Sequence, residues 1–477
     1  MWGLAMRRVL HLITILALVS SQIGLSSSFP SPAGDPDWGR AGSEAVALLA
    51  EYLRVDTTNP PGNEMRAADF FARLLRKEGI EYRVFESAPG RANLYARLRG
   101  SGRKRPLILL NHTDVVSAEK GFWSADPFSG EVRDGYLYGR GALDMKSLGA
   151  AQLMVMLLLK RSAVPLDRDL IFLATADEEA GGRDGAGWFV SNQAALIRDA
   201  EFLITEGSSN LVFGDRVAYY GVGTTEKTPC WLRLTARGTP GHGSVPRSNS
   251  APSRLIRALG KLEAYETQLK VTPAVARFFK SIAEIQGDPE LRRAYSDIGA
   301  ALQDPRLRSV VVSRSENSAV LRNTIQPTVV NVGSKTNVIA PIATAEIDCR
   351  LLPGERVEDF VAEVKRVIDD PGIEVETILA FGATESPIDT DLYKAITGVI
   401  RADDASARFV PTVLAGFTDS HFFRELGIVC YGFSPFLIPV SDFSGVHGND
   451  ERIQVEGMKS GTRLLYRIVR ALCSPQP

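Results

Sequence analysis

Leu170-Ile171-Phe172-Leu173-Ala174-Thr175-Ala176-Asp177-Glu178-Glu179-Ala180-Gly181-Gly182 sets an uninterrupted apolar run directly against three carboxylates. A short apolar run bounded by polar residues reads as a strand covered on both faces. Carboxylates crowded at its C-terminal end repel one another and resist ionisation unless cations neutralise them. Two divalent ions would do so; a solvated acidic loop is the plainer alternative.

Two further stretches have the same form. Pro106 to Leu110 is followed by Asn111-His112-Thr113-Asp114, and Glu201 to Thr205 is followed by Glu206-Gly207. Between the first strand and the acidic one, Lys146 to Arg161 has the length and composition of a helix. Strands alternating with helices predict an α/β sheet with helices on both faces. The polar, reactive residues stand just past the C-terminal ends of the strands, where open α/β sheets place their ligands. Upstream, Ser43 to Leu53 and Glu64 to Glu78 predict helices around a turn-rich loop, Asp56 to Gly62.

After Tyr220 the texture changes. Cys230 to Ala236 alternates like a half-exposed strand, and Asn249 to Gln303 is helical and rich in charge. Strands return over Asn337 to Arg350 and Ile373 to Leu379, with a helix between them at Val357 to Ile368. This α+β block reads as an insertion, after which the tail from Pro387 resumes helix and strand. No internal repeat or low-complexity tract is present.

The 477 residues exceed one ordinary domain, so two are expected. A net charge of -1 gives no general attraction to nucleic acid or an acidic membrane. Arg7 and Arg8, the apolar run from Val9 to about Leu25, and Ser26 to Ser28 read as a secretory signal peptide within residues 1–30. That implies a secreted or periplasmic protein; an uncleaved N-terminal anchor is the alternative, and only then would the chain meet a membrane. Cys230, Cys349, Cys430 and Cys473 have no CxxC spacing, so neither a thiolate zinc site nor a redox motif is present. They read as buried thiols or as a disulfide.

Only five histidines occur, and one, His11, lies in the leader. His112 is placed to ligate a metal, with Asp114 two residues on to fix its tautomer; a core or capping histidine is the alternative. Tyr138-Gly139-Arg140-Gly141-Ala142-Leu143-Asp144-Met145-Lys146 lacks the third glycine of a dinucleotide loop. Its Asp144 suits a helix N-cap, a metal ligand, or both. With Glu179, Glu206 and the late His447, these make a nitrogen and oxygen set suited to zinc. One carboxylate must bridge if two ions about 3.5 Å apart share the site. No His-Glu-x-x-His and no Gly-x-Ser-x-Gly is present, which argues against zincins and serine hydrolases.

The order His-x-Asp, Gly-Arg-Gly-x-x-Asp-x-Lys, Glu-Glu, Glu-Gly, then Gly238-Thr239-Pro240-Gly241-His242 and a late histidine resembles metallopeptidase family 20 over nearly all of the chain after the leader. That family includes aminoacylase, carboxypeptidase S, glutamate carboxypeptidase, acetylornithine deacetylase and succinyl-diaminopimelate desuccinylase. The resemblance implies a dizinc exopeptidase-like catalytic domain, a mixed sheet flanked by helices, over residues 38–227 and 381–477. It implies an inserted lid and dimerisation domain over residues 228–380, and hence a homodimer. Asp144 would bridge two zinc ions, or other divalent ions such as cobalt or manganese. His112 and Glu206 would complete one ion's ligands, and Glu179 and His447 the other's. Glu178 would be the general base, with Asp114 orienting His112. His242 would stabilise the oxyanion in a neighbouring subunit's site, and Asn337 and Arg350 would hold a substrate carboxylate.

The implied activity is hydrolysis of small N-acyl-amino acids or short peptides. An aminopeptidase or dipeptidase of the same family, and an inactive binding protein on the same scaffold, are the alternatives. Glu206, where Asp is the other choice, points to deacylase or carboxypeptidase. The long stretch from Tyr265 to Gln326 resembles the carboxypeptidase S and aminoacylase-like branch. Two departures stand out. One extra residue precedes Pro341 after Asn337, and Thr418-Asp419-Ser420-His421 carries histidine where arginine is commoner nearby.

Overall fold

The computed structural model describes residues 35–475, apart from residues 215 and 383. The predicted leader, residues 1–30, lies outside them. Among the described residues no helix is long and apolar enough to cross a membrane.

The three apolar runs are neighbouring strands. Leu107–His112 lies between Leu170–Thr175 and Phe202–Thr205 and is parallel to both. All three are buried throughout, which explains their unbroken apolar character. The sheet continues through Arg91–Leu98 and Tyr82–Ala88 on one side and Val429–Gly432, Arg216–Glu226 and Phe409–Leu414 on the other. Leu211–Phe213 pairs off this path, making nine strands. Antiparallel pairs stand on both sides of the parallel centre, so the sheet is mixed. Helices Trp38–Leu53, Met65–Lys77, Lys146–Arg161 and Val455–Cys473 contribute to the core that covers one face. A smaller core around Ile108, Ile171, Phe189 and Phe423 covers the other. Lys146–Arg161 is buried from Lys146 to Leu159, which is why it lacks a polar stripe.

A second sheet, antiparallel and four-stranded, has its own core. Its order is Thr324–Val332, Ile342–Leu351, Thr228–Arg237, Ile373–Ala380. Helices Ala251–Glu263 and Val357–Ile368 pack on it through Leu255, Phe360 and Val364 against Leu232, Leu234 and Ile347.

The stretch predicted simply as helical, together with the residues just past Gln303, is a series of short helices with explicit start signals. Thr272, Asp288 and Asp304 cap helices that begin at Pro273, Pro289 and Pro305. Each cap oxygen accepts an orphan N–H, and proline at the first position loses no bond. The four cysteines are free and buried.

Candidate metal centre

The parallel strands deliver the site. His112 is the last residue of its strand, Glu206 directly follows Phe202–Thr205, and Glu178 and Glu179 form the turn after Leu170–Thr175. Asp144 immediately precedes the Met145 cap of helix Lys146–Arg161, and His447 enters from the C-terminal loop. These residues form two groups that share Asp144: His112, Asp144 and Glu206, and Asp144, Glu179 and His447. Within each group one ligand atom per residue lies within 4.8 Å of the others.

Asp144 divides its oxygens between the groups. Oδ1 is 3.0 Å from His112 Nε2, and Oδ2 is 3.1 Å from His447 Nε2. Glu206 Oε1 stands 3.4 Å from His112 Nε2, and Glu179 Oε2 stands 3.2 Å from His447 Nε2.

The electrostatics are those of a site short of positive charge. Burial raises the Glu206 carboxyl to about 7, helped by Asp144. Burial also raises Glu178, with Glu206 next in effect, and raises Glu179. For His112 burial disfavours the charge, but Glu206, Asp114 and Asp144 outweigh it and hold the imidazole well above its ordinary value. Hydrogen bonds to Asp144 and Glu179 lift His447 to about 10. The donors are imidazole and carboxylate, the buried Glu179 Oε1 has no hydrogen-bond partner, and one carboxylate faces both groups. This set fits a pair of divalent ions of the zinc type.

One alternative falls and two readings are sharpened. Asp144 is not an N-cap: helix Lys146–Arg161 starts without a side-chain cap, and the carboxylate is turned to the histidines. Asp177 leaves the acidic trio and pairs with Arg91, so its charge is met by the protein. Asp114 meets His112 Nδ1 first through its main-chain oxygen, at 3.0 Å, with the carboxylate at 3.6 Å. That carboxylate accepts the N–H groups of Glu178 and Glu179 at 3.1 and 3.2 Å and thereby fixes the turn that carries them.

Sequence reasoning missed the outer supports. Glu451 accepts the N–H groups of Gly141, Leu143 and Asp144 at 2.9, 2.7 and 3.0 Å and pairs with Arg140 at 2.8 Å. Gly141 turns there with φ +88, and a Cβ would meet Val115 at 2.9 Å, so this turn requires glycine. Asp419 is buried, accepts from Thr175 at 3.0 Å, and is raised to about 8 chiefly by burial. Asn59 donates to Asp114 at 2.8 Å.

The remaining predicted residues, Arg350, His242 and Asn337, have other partners. Arg350, on Ile342–Leu351, donates through Nε and Nη2 to Asp348 at 2.7 and 3.0 Å. Its guanidinium lies 5.0 Å from the Phe417 ring centre and 5.7 Å from that of Trp231, and its buried Nη1 has no partner. His242 is exposed and meets Ser244 Oγ through Nδ1 at 2.7 Å. It pairs with Val338 beside Asn337, whose carbonyl accepts the Gly243 N–H at 2.9 Å.

His421 is stacked on Phe381, with ring centres 3.4 Å apart, and touches Phe422. Burial, aided by Arg424, pushes its pKa down to about 3. Below pH ~6.5 the unfolded chain takes up a proton that the folded chain refuses. Stability is therefore expected to fall with pH by roughly 1.4 kcal/mol per unit from this residue. His421→Phe should lose less denaturant resistance than wild type between pH 7 and 5; parallel losses would refute this.

Peptidase family M20/M25/M40 matches residues 108–471. The chain is 32% identical over 372 residues to N-fatty-acyl-amino acid synthase/hydrolase PM20D1 of Xenopus tropicalis, covering 76% of this chain and 72% of that protein. It is 27% identical over 438 residues to aminoacylase-1B of Rattus norvegicus, covering 90% and 95%. Its fold is similar to that of the M20 family metallo-carboxypeptidase Sso-CP2 from Sulfolobus solfataricus, with a TM-score of 0.70 and 18% identity over 90% of this chain and 99% of that one.

Proposed function

The chain belongs to peptidase family M20/M25/M40, and from that premise we propose that it hydrolyses the amide bond of small N-acyl-amino acids or short peptides at a site holding two zinc ions. The observation that carries this reading is the sharing of Asp144, one oxygen to each histidine–carboxylate group. His112, Asp144 and Glu206 would hold one ion; Asp144, Glu179 and His447 would hold the other. When bound, such a pair supplies Lewis-acid polarisation of the carbonyl and a water acidic enough to act near neutral pH.

The protein's own groups do the rest. The Glu178 carboxylate takes the proton of the attacking water and returns it to the leaving nitrogen. Asp114 holds the Glu178–Glu179 turn and the His112 ring in place. Arg350, its plane fixed by Asp348 and two aromatic rings, offers Nη1 to the substrate carboxylate, and Asn337 assists. His242 stabilises the developing oxyanion in the site of a second copy.

That role for His242 requires a homodimer. Strand Thr324–Val332, an edge of the four-stranded sheet, exposes Val329, Val330 and Val332, as an interface strand would. Light scattering should give twice the chain mass; a monomer at micromolar concentration would remove this part of the reading.

Hydrolysis of an N-acyl-amino acid and a dipeptide panel, before and after chelation, tests the activity; no turnover of either with zinc supplied would refute it. Arg350→Ala is expected to lower kcat/KM about 10- to 100-fold on substrates with a free carboxylate. Their carboxamide analogues should be little affected, and equal losses on both would refute the carboxylate role.

A further inference from the structure

Against the candidate metal centre lies a cavity of about 130 Å³, bounded in part by Asp144 and Glu206. Leu148 from the long buried helix, and Phe436, Ile438, Phe443 and Val446 from the segment leading to His447, give it an apolar side, and Ser208, Ser209 and Ser434 add neutral hydroxyls. No lysine, arginine or histidine lines it.

The wall is preformed. Phe436 is seated against Gly461, where even a Cβ would come within 2.3 Å of the ring. Asn210 holds the carbonyls of Ser434 and Phe436 at 3.0 and 2.9 Å while its own oxygen accepts the Gly221 N–H at 3.2 Å. A pocket fixed in this way selects by shape.

Its chemistry excludes charge. An acidic group at the far end of an acyl chain would lose water against the apolar wall and meet no lysine, arginine or histidine there. Its size is comparable to that of an apolar cavity of about 150 Å³ that admits benzene, so it takes about five to six carbons. Neither Arg350 nor the residues that hold it line the cavity, so a substrate carboxylate held by Arg350 would not compete for this space.

We infer that this cavity is an acyl pocket, selecting an uncharged apolar acyl group of about five to six carbons over acetyl, succinyl or long-chain acyl groups. The inference rests on the amide-hydrolase reading above. Filling the pocket should raise kcat/KM about fourfold per added CH₂.

The test has two arms. The first measures kcat/KM for N-acyl-alanines from acetyl to dodecanoyl, with succinyl included. A rise to about hexanoyl followed by a fall, with succinyl below butanoyl, is expected. Ile438→Trp should cut the hexanoyl-to-acetyl ratio about tenfold or more, and Phe443→Ala should move the optimum to longer chains. The second arm measures calorimetric binding of free acetate through decanoate to the zinc-loaded protein and needs no turnover; affinity should peak near hexanoate. No chain-length dependence in either arm, a plateau or rise continuing to dodecanoyl, or a preference for succinyl overturns the pocket. Absence of hydrolysis with binding that still peaks near hexanoate overturns the activity and keeps the pocket.

Discussion

Glu178→Gln is expected to lower kcat by about 10²- to 10⁴-fold while leaving the metal content and the fold unchanged. Glutamine has nearly the size of glutamate but cannot take a proton from water. Glu178 belongs to neither histidine–carboxylate group, so its loss should not release an ion. Its backbone N–H is held by Asp114 at 3.1 Å, a bond the substitution keeps. Normal turnover in the variant would refute the general-base role, and loss of metal would make Glu178 a ligand instead.

Asp144→Ala is expected to have the opposite signature. Because its two oxygens serve two groups, one substitution should weaken both metal positions. Glu206→Ala or His447→Ala should chiefly weaken one. Loss of both ions removes the polarisation they supply, and activity should drop roughly 10³-fold or more. The backbone turn should survive, since Glu451 holds it through the N–H groups of Gly141, Leu143 and residue 144. A variant that keeps both ions would show that Asp144 does not bridge.

Much of this was legible in the sequence because both strands and site are written locally. Leu170–Thr175 is apolar along its whole length because it is covered on both faces, and the carboxylates follow it without a gap. His112 and Glu206 likewise sit at or just past their strand ends. What stayed hidden depends on chain crossings. Nothing near Glu451 says that it gathers the N–H groups around Asp144, and nothing in Asp177 says that Arg91 will claim it. The commitment of Arg350 to Asp348 follows from two residues on one face of a strand, but the aromatic rings flanking it come from Trp231 and Phe417, which only the folded chain brings together. The same holds for the apolar cavity, whose walls come from segments far apart in the chain.

The central claim is that one carboxylate joins two divalent ions in a hydrolytic site. Elemental analysis of the purified chain, with N-acyl-amino acid hydrolysis followed through chelation and readdition of zinc, tests it most directly. About two zinc ions per chain are expected, with activity lost to the chelator and restored by zinc. No bound divalent ion, and no hydrolysis after zinc is supplied, would contradict it.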